Sequence, residues 1–219
     1  MTTIFDSRPS LRSGISEKSA TLVTTGTDMT AHPTQRGPSP RRFTVSEYRH
    51  MGKSGILRQE DRLELIDGEI IEMAPIGSRH AGHLNHLVGL VSKQLADEPV
   101  LSVQNPLELG DHSEPQPDLA VLNPRDDAYA SSHPIAGDVL LLVEIADTSL
   151  EFDRTTKIPL YARHGVPVVW LLNLPDKTVE VYERPDTDGY RVVHSLREDA
   201  TVEHPDLDLR FEADDLFVE

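Results

Sequence analysis

Leu140-Leu141-Leu142-Val143-Glu144-Ile145 is an apolar run with a single carboxylate inside it. A second apolar run, Val168-Val169-Trp170-Leu171-Leu172-Asn173, follows it, and a third, Leu119-Ala120-Val121-Leu122, precedes it behind Pro117-Asp118. None of the three alternates polar with apolar, which is the pattern of strands covered on both faces. An ionised glutamate in such a strand is costly unless a cation meets it. The next candidate cation in the chain is Lys157, in a stretch that reads as a helix.

Working outward, Leu84, Leu87, Val88, Val91 and Leu95 keep the 3-4 spacing of one buried helical face, so 78–95 reads as a helix. Two short strands lie about the Asp67-Gly68 turn, a hairpin signal. Strands are expected at 100–104, 118–122 and 138–145. Thr148-x-x-Glu151 is a capping box opening a helix that stops at Gly165, with a kink at Pro159, which lacks a donor. A hairpin about Asp188-Gly189 joins strands at 179–183 and 190–194. Thr44-x-x-Glu47 caps a short helix through Met51. The order predicts a mixed α/β fold of the α+β kind: one mixed sheet, with strands 118–122, 138–145 and 168–173 as neighbours, flanked by helices.

The chain has 219 residues and no cysteine, which excludes disulfides and thiolate metal sites. No apolar run approaches the roughly 20 residues of a membrane span, and no apolar stretch near the N-terminus reads as a signal peptide. A cytoplasmic protein is expected. Residues 1–42 are rich in Ser, Thr, Pro and Gly without a sustained period, so a disordered tail is expected there, with the folded domain over 43–219. Met29 offers an alternative translation start. The tail carries six basic and three acidic residues; the remainder carries fifteen and thirty-four, a net of −19. Such a body repels a nucleic-acid backbone at long range, which counts against tight non-specific binding but leaves a metal-loaded site open.

Each site residue has an ordinary reading beside the functional one. Asp118 could cap a turn. Glu64 alternates with Leu63 and Leu65 and could be an exposed strand residue. Asp153 and Lys157 could form a surface i,i+4 pair. The functional reading turns Lys157 toward Glu144, with Tyr161 one turn further on the same stripe. Two carboxylates on neighbouring strands and one lysine are the parts of metal-assisted phosphodiester hydrolysis. If Glu64, Asp118 and Glu144 converge, their repulsion predicts that Asp118→Asn stabilises the metal-free protein.

In its ordered set of motifs the chain resembles the Uma-two family, restriction-endonuclease-like proteins of the PD-(D/E)XK nuclease superfamily. The resemblance runs from Phe43 to about Phe217. It is carried by Phe43-Thr44-Val45-Ser46-Glu47-Tyr48, Glu64-Leu65-Ile66-Asp67-Gly68-Glu69-Ile70, His80, Pro117-Asp118, Val143-Glu144-Ile145, Asp153-Arg154-x-x-Lys157-x-x-x-Tyr161-Ala162, and Gly165 through Leu171. Pro205-Asp206-Leu207 and Asp215-Leu216-Phe217 close it.

The resemblance implies a Mg²⁺-dependent endonuclease, with Mn²⁺ as a substitute, acting on nucleic acid, DNA before RNA. Asp118 and Glu144 would hold the metal through hard oxygens, with Glu64 as an outer ligand. Lys157 would position the attacking water and stabilise the transition state. His80, Asp153 and Tyr161 would touch phosphate or support the ligands. One departure matters: the superfamily places its lysine two residues after the acidic residue, where this chain has Ala146. The implication is that the lysine has moved to the helix as Lys157. A homodimer is expected if both strands of a duplex are cut, because a two-fold axis matches duplex symmetry.

His80, His83 and His86 recur at i, i+3, i+6. Positions 80 and 86 lie about 120° apart around a helix, so one zinc ion cannot easily be held by all three. No phosphate-cradling glycine spacing and no Gly-x-Ser-x-Gly elbow are present. The competing class is a nuclease-fold protein that does not cut and serves as a nucleic-acid-binding or protein-interaction module. The displaced lysine and the acidic body favour it; the retained carboxylates favour the enzyme.

Overall fold

The computed structural model describes residues 38–58, 60–95 and 99–218. The expectations for residues 1–37, including the start at Met29, lie outside the described residues. The capping box at Thr44 is present: its hydroxyl accepts the Glu47 N–H (3.2 Å), and the Glu47 carboxylate accepts the Thr44 N–H (3.0 Å). It opens α1 (Val45–Lys53). The hairpin follows as β1 (Leu63–Ile66) and β2 (Glu69–Glu72). Its turn needs φ > 0 at both central residues, and Asp67 and Gly68 have φ 47 and 78. Gly68 is also a close approach: a Cβ there would lie 2.6 Å from that of Arg42.

Then come α2 (Ser78–Gln94), β3 (Val100–Val103), β4 (Leu119–Leu122) and β5 (Val139–Ala146). A helical segment runs from α3 (Leu150–Phe152) through a π-helical turn (Asp153–Lys157) into α4 (Ile158–Arg163). β6 (Val168–Asn173), β7 (Thr178–Asp186), β8 (Gly189–Leu196), β9 (Thr201–Glu203) and β10 (Arg210–Glu212) complete the order.

The central sheet has six strands in the order β3-β4-β5-β6-β7-β8. Only the β5–β6 pair is parallel, and its crossover is the helical segment. The three apolar runs are therefore adjacent in one sheet, as their sequences predict. Along β5 the side chains divide by parity. Leu141, Val143 and Ile145 pack with Leu84, Leu87 and Val91 of α2. Leu142 and Ala146 pack with Ile158, Leu160 and Tyr161 on the other face. Truncating Leu142, which is fully buried, to alanine removes about 2–5 kcal/mol by the usual cavity cost. Glu144 shares the parity of Leu142 and so faces the helical segment.

Several expectations change in detail. There is no capping box at Thr148. The N-cap is Ser149, and its hydroxyl donates to Asp153 (2.6 Å) instead of capping the backbone. Pro159 follows a widened turn, in which the Ile158 N–H reaches Asp153 O, five residues back. Widening draws the Thr155 carbonyl off the proline ring that it would meet in a regular helix. The helix stops at Gly165, whose N–H bonds Ala162 O while the Val166 N–H bonds Tyr161 O, the double bond of a Schellman turn. The β7–β8 loop is Thr187-Asp188, one residue earlier than expected, and both strands run longer. β3 ends before Gln104, which has φ +50. The β9–β10 hairpin was not foreseen; its strands are three residues each and enclose Pro205.

Candidate active site

The β4–β5 register pairs Leu119 with Val143. Asp118 stands one residue before β4 and Glu144 one residue after Val143 in β5, and both line the same cleft at the end of the sheet. β1 brings Glu64 across from the hairpin, and the helical segment brings Asp153, Lys157 and Tyr161. These line one cleft of about 180 Å³ together with His80, Gln116 and Arg62, except that Tyr161 lies behind Glu144 in the core.

Lys157 Nζ donates to Glu144 Oε1 (3.1 Å) and to Glu64 Oε1 (3.2 Å). The Tyr161 hydroxyl donates to the same Glu144 oxygen (2.5 Å). Lys157 is 2% exposed, which excludes a solvated surface pair with Asp153. Glu64 is 4% exposed and is not an outward strand residue. Lys157 does not bond Asp118. That carboxylate accepts the Ile145 N–H at Oδ2 (2.8 Å), and at Oδ1 it meets His80 Nε2 (2.9 Å) and Gln104 Nε2 (3.1 Å).

The π-turn shapes this arrangement. About 3.6 residues make an α-turn, so positions eight apart drift by about 80°. A turn closed over five residues instead of four takes most of that drift away. Asp153, Lys157 and Tyr161 consequently form a nearly straight column, all three buried toward Glu144.

Protonation follows from this geometry. Burial pushes Glu144 up to about 8, against the pull of Lys157 and with Asp118, Asp153 and Glu64 adding to it. Burial likewise raises Glu64 and Asp153, with Lys157 opposing in both. Lys157 remains protonated: burial opposes its charge, but Glu144, Glu64, Asp153 and Asp118 together hold its pKa above the ordinary lysine value. Asp118 goes the other way. Burial would raise it, but His80 and the Ile145 N–H hold it below the ordinary aspartate range. The hydrogen bond to Asp118 raises His80 in return.

A hard divalent cation fits the chemistry of this donor set. Four buried carboxylates face one ammonium, and Glu64 Oε2 is buried without a hydrogen-bond partner. In the present side-chain arrangement no three His, Asp or Glu groups among the described residues stand close enough to form a metal cluster. Lys157 bridges Glu64 and Glu144, so a metal that reached Glu64 would have to displace the ammonium. The helical histidines are apart: His83 Nδ1 meets Arg79 O (2.7 Å) and His86 Nε2 meets Asp215 O (2.7 Å).

Gln104 and Arg62 were not foreseen. Gln104 gives no signal, since its role depends on the bend after β3. Arg62 was legible, because it stands two residues before Glu64 and so shares its side of the strand.

The fold is that of a restriction-endonuclease-like protein. The chain belongs to the Uma-two family, described as putative restriction endonuclease, whose model matches residues 45–214. The structure is similar to the crystal structure of a putative nuclease belonging to DUF820 from Anabaena variabilis, with a TM-score of 0.61 at 22% identity. The match covers 80% of this chain and 97% of that one, and at this identity it is the fold that the two share. No curated protein matches the chain. Among the described residues no helix is long and apolar enough to cross a membrane.

Proposed function

We propose that the chain is a divalent-metal-dependent endonuclease that hydrolyses phosphodiester bonds in DNA, with Mg²⁺ as the cofactor and Mn²⁺ as a substitute. The observation that carries this reading is the buried Lys157 ammonium, which reaches Glu144 from the helical segment (3.1 Å); on this reading it stands in for the strand lysine of the superfamily. Asp118 and Glu144 would hold the metal, with Glu64 as a further oxygen donor once Lys157 shifts. When bound, the metal lowers the pKa of a coordinated water and neutralises charge on the phosphate.

The chain's own residues do the rest. His80 and Gln104 fix the Asp118 carboxylate. Tyr161 fixes one Glu144 oxygen and leaves the other toward the cleft. Lys157 stabilises negative charge growing on the phosphate and orients the attacking water. Asp153, held by Ser149, keeps the Lys157 charge in place. A cytoplasmic homodimer with two such clefts is part of the proposal.

Incubation of the protein with supercoiled plasmid and Mg²⁺ or Mn²⁺, beside Glu144→Ala, tests it. Metal-dependent nicking by the wild type and none by the variant is expected. A second reading is a nuclease-fold module that binds nucleic acid or protein without cutting; it is favoured by the bond of Lys157 to Glu64, which gives the ammonium a role in joining the hairpin to the sheet. Absence of nicking, with no change of melting temperature at millimolar Mg²⁺, leaves that reading alone.

A further inference from the structure

From residue 38 onward the charge of the sequence is divided between one segment and the rest. Residues 38–62 carry six basic and three acidic residues, whereas 63–219 carry eleven and thirty-one, a net of −20. Within the basic segment, three cations are already committed. Arg41 pairs with Glu47, Arg42 with Glu69, and Arg49 with Glu108 and Glu114. Lys53, Arg58 and Arg62 make no ion pair with any described residue, and all three are exposed. An unpaired cation is the kind that adds affinity for a polyanion, because no existing pair has to be broken first.

Their placement follows from local structure. Lys53 is the last residue of α1. The chain then turns back through Gly55 N–H to Gly52 O and Ile56 N–H to Met51 O. A second turn is closed by the Asp61 N–H on Arg58 O, while the Asp61 carboxylate accepts the Arg58 N–H (3.0 Å). That turn ends at Arg62, whose guanidinium donates one bond to Ala74 O across the hairpin and keeps its other donors. Arg62 stands at the mouth of the cleft, near enough to oppose protonation of His80. A shallow groove beside α1 is lined by Lys53, Arg58 and Gln116, and Gln116 also lines the cleft. The three cations thus run outward from the cleft along one continuous surface.

We infer that Arg62, Arg58 and Lys53 form a track for the phosphodiester backbone of nucleic acid entering or leaving the cleft, with Arg62 on the phosphate nearest the carboxylates. This rests on the nuclease reading above and adds where the substrate lies. The acidic remainder sharpens the placement, since its net negative charge opposes the approach of the backbone over most of the surface.

The test is fluorescence anisotropy of a short labelled DNA duplex, titrated with full-length protein in EDTA over a range of salt. Lys53→Glu/Arg58→Glu/Arg62→Glu is compared with Lys93→Glu/Lys177→Glu/Arg197→Glu, which changes the net charge equally on other elements where those cations also lack ion pairs. The track variant is expected to lose at least tenfold in affinity and about two to three in the slope of log affinity against log salt. The control variant is expected to lose much less. Equal losses in both would assign the effect to net charge and overturn the track. Wild-type affinity in the track variant overturns it too. Plasmid nicking by the same preparations separates the two readings: a track variant that binds and nicks like the wild type removes the track and leaves the nuclease. A wild type that neither binds duplex nor nicks removes both. Far-UV circular dichroism and the metal-free melting temperature, expected to stay close to wild type in both variants, show that each is folded.

Discussion

Lys157 and Tyr161 meet on a single atom, Glu144 Oε1. They are one turn apart on the helical segment, and the widened turn before Pro159 keeps both on the face toward β5. One carboxylate oxygen is thereby saturated by two donors, which fixes the rotamer of Glu144 and orients the second oxygen. The ammonium also bridges to Glu64 on a separate hairpin, so it ties that hairpin to the central sheet. The same contact that would serve chemistry thus also joins two parts of the fold.

Lys157→Met is expected to abolish metal-dependent cleavage. It also leaves Glu64 and Glu144 facing each other without a cation, a loss of about 3–5 kcal/mol where both are ionised. That loss shrinks under acid, where the glutamates can protonate. Thermal denaturation at low and high pH beside a plasmid assay checks both claims. Lys157→Arg is expected to rescue poorly, because a planar fork does not replace a compact ammonium between two carboxylates. Full cleavage by Lys157→Met would remove this residue from the mechanism.

The central strands were legible because burial on both faces writes continuous apolar runs, and a charge inside such a run stands out. That is why the sequence alone pairs Glu144 with Lys157. Glu64 was ambiguous for the opposite reason: β1 alternates in sequence, and only the packing of the helical segment shows that its polar position is enclosed as well. The partner of Lys157 was half legible. Glu144 is the partner that the apolar run points to, whereas Glu64 is brought by packing of the hairpin; Asp118 is already occupied by donors from β5, α2 and Gln104. The capping box at Thr148 failed because Ser149, one residue on, takes the N-cap position and spends its hydroxyl on Asp153. β9 and β10 were too short, around Pro205, to give a periodic signal.

Asp118→Asn reverses an expectation drawn from charge alone. Converging carboxylates predict stabilisation, but Asp118 accepts three hydrogen bonds and sits below the ordinary aspartate range. An amide nitrogen on either side faces a donor. The variant is expected to lose about 1–3 kcal/mol in metal-free denaturant unfolding, and to lose any Mg²⁺-induced shift in melting temperature. A stabilised variant would mean that repulsion, not donation, dominates at this carboxylate.

Tyr161→Phe keeps the buried ring and deletes one donor from Glu144. Lys157 remains on that oxygen, so the expected cost is only about 1–2 kcal/mol. Cleavage should fall less than in Lys157→Met, because the hydroxyl orients a ligand and does not face the phosphate. Comparing single-turnover rates of the two variants at saturating Mg²⁺ decides the order. A larger loss in Tyr161→Phe than in Lys157→Met would place the hydroxyl itself at the reacting atoms.

Stability of the metal-free protein is expected to fall as pH rises from about 5 to about 8. Glu144 is the main group responsible, with its folded pKa pushed up to about 8 from 4.5; Glu64 and Asp153, also raised by burial, act in the same direction. Between those values the unfolded chain has released the Glu144 proton and the folded chain still holds it. The folded state then binds more protons, and stability declines with pH by at most about 1.4 kcal/mol per unit for one proton. For a chain of this size that is a few degrees of melting temperature per pH unit. His80, also raised in the fold, acts in the same direction near neutrality. Asp118, which is lowered, contributes only at more acid pH. Glu144→Gln retains an oxygen for Lys157 and Tyr161 but cannot titrate, so its melting curve should be flatter across the window and higher than wild type at pH 8. A melting temperature with the same slope in Glu144→Gln would show that another group holds the proton.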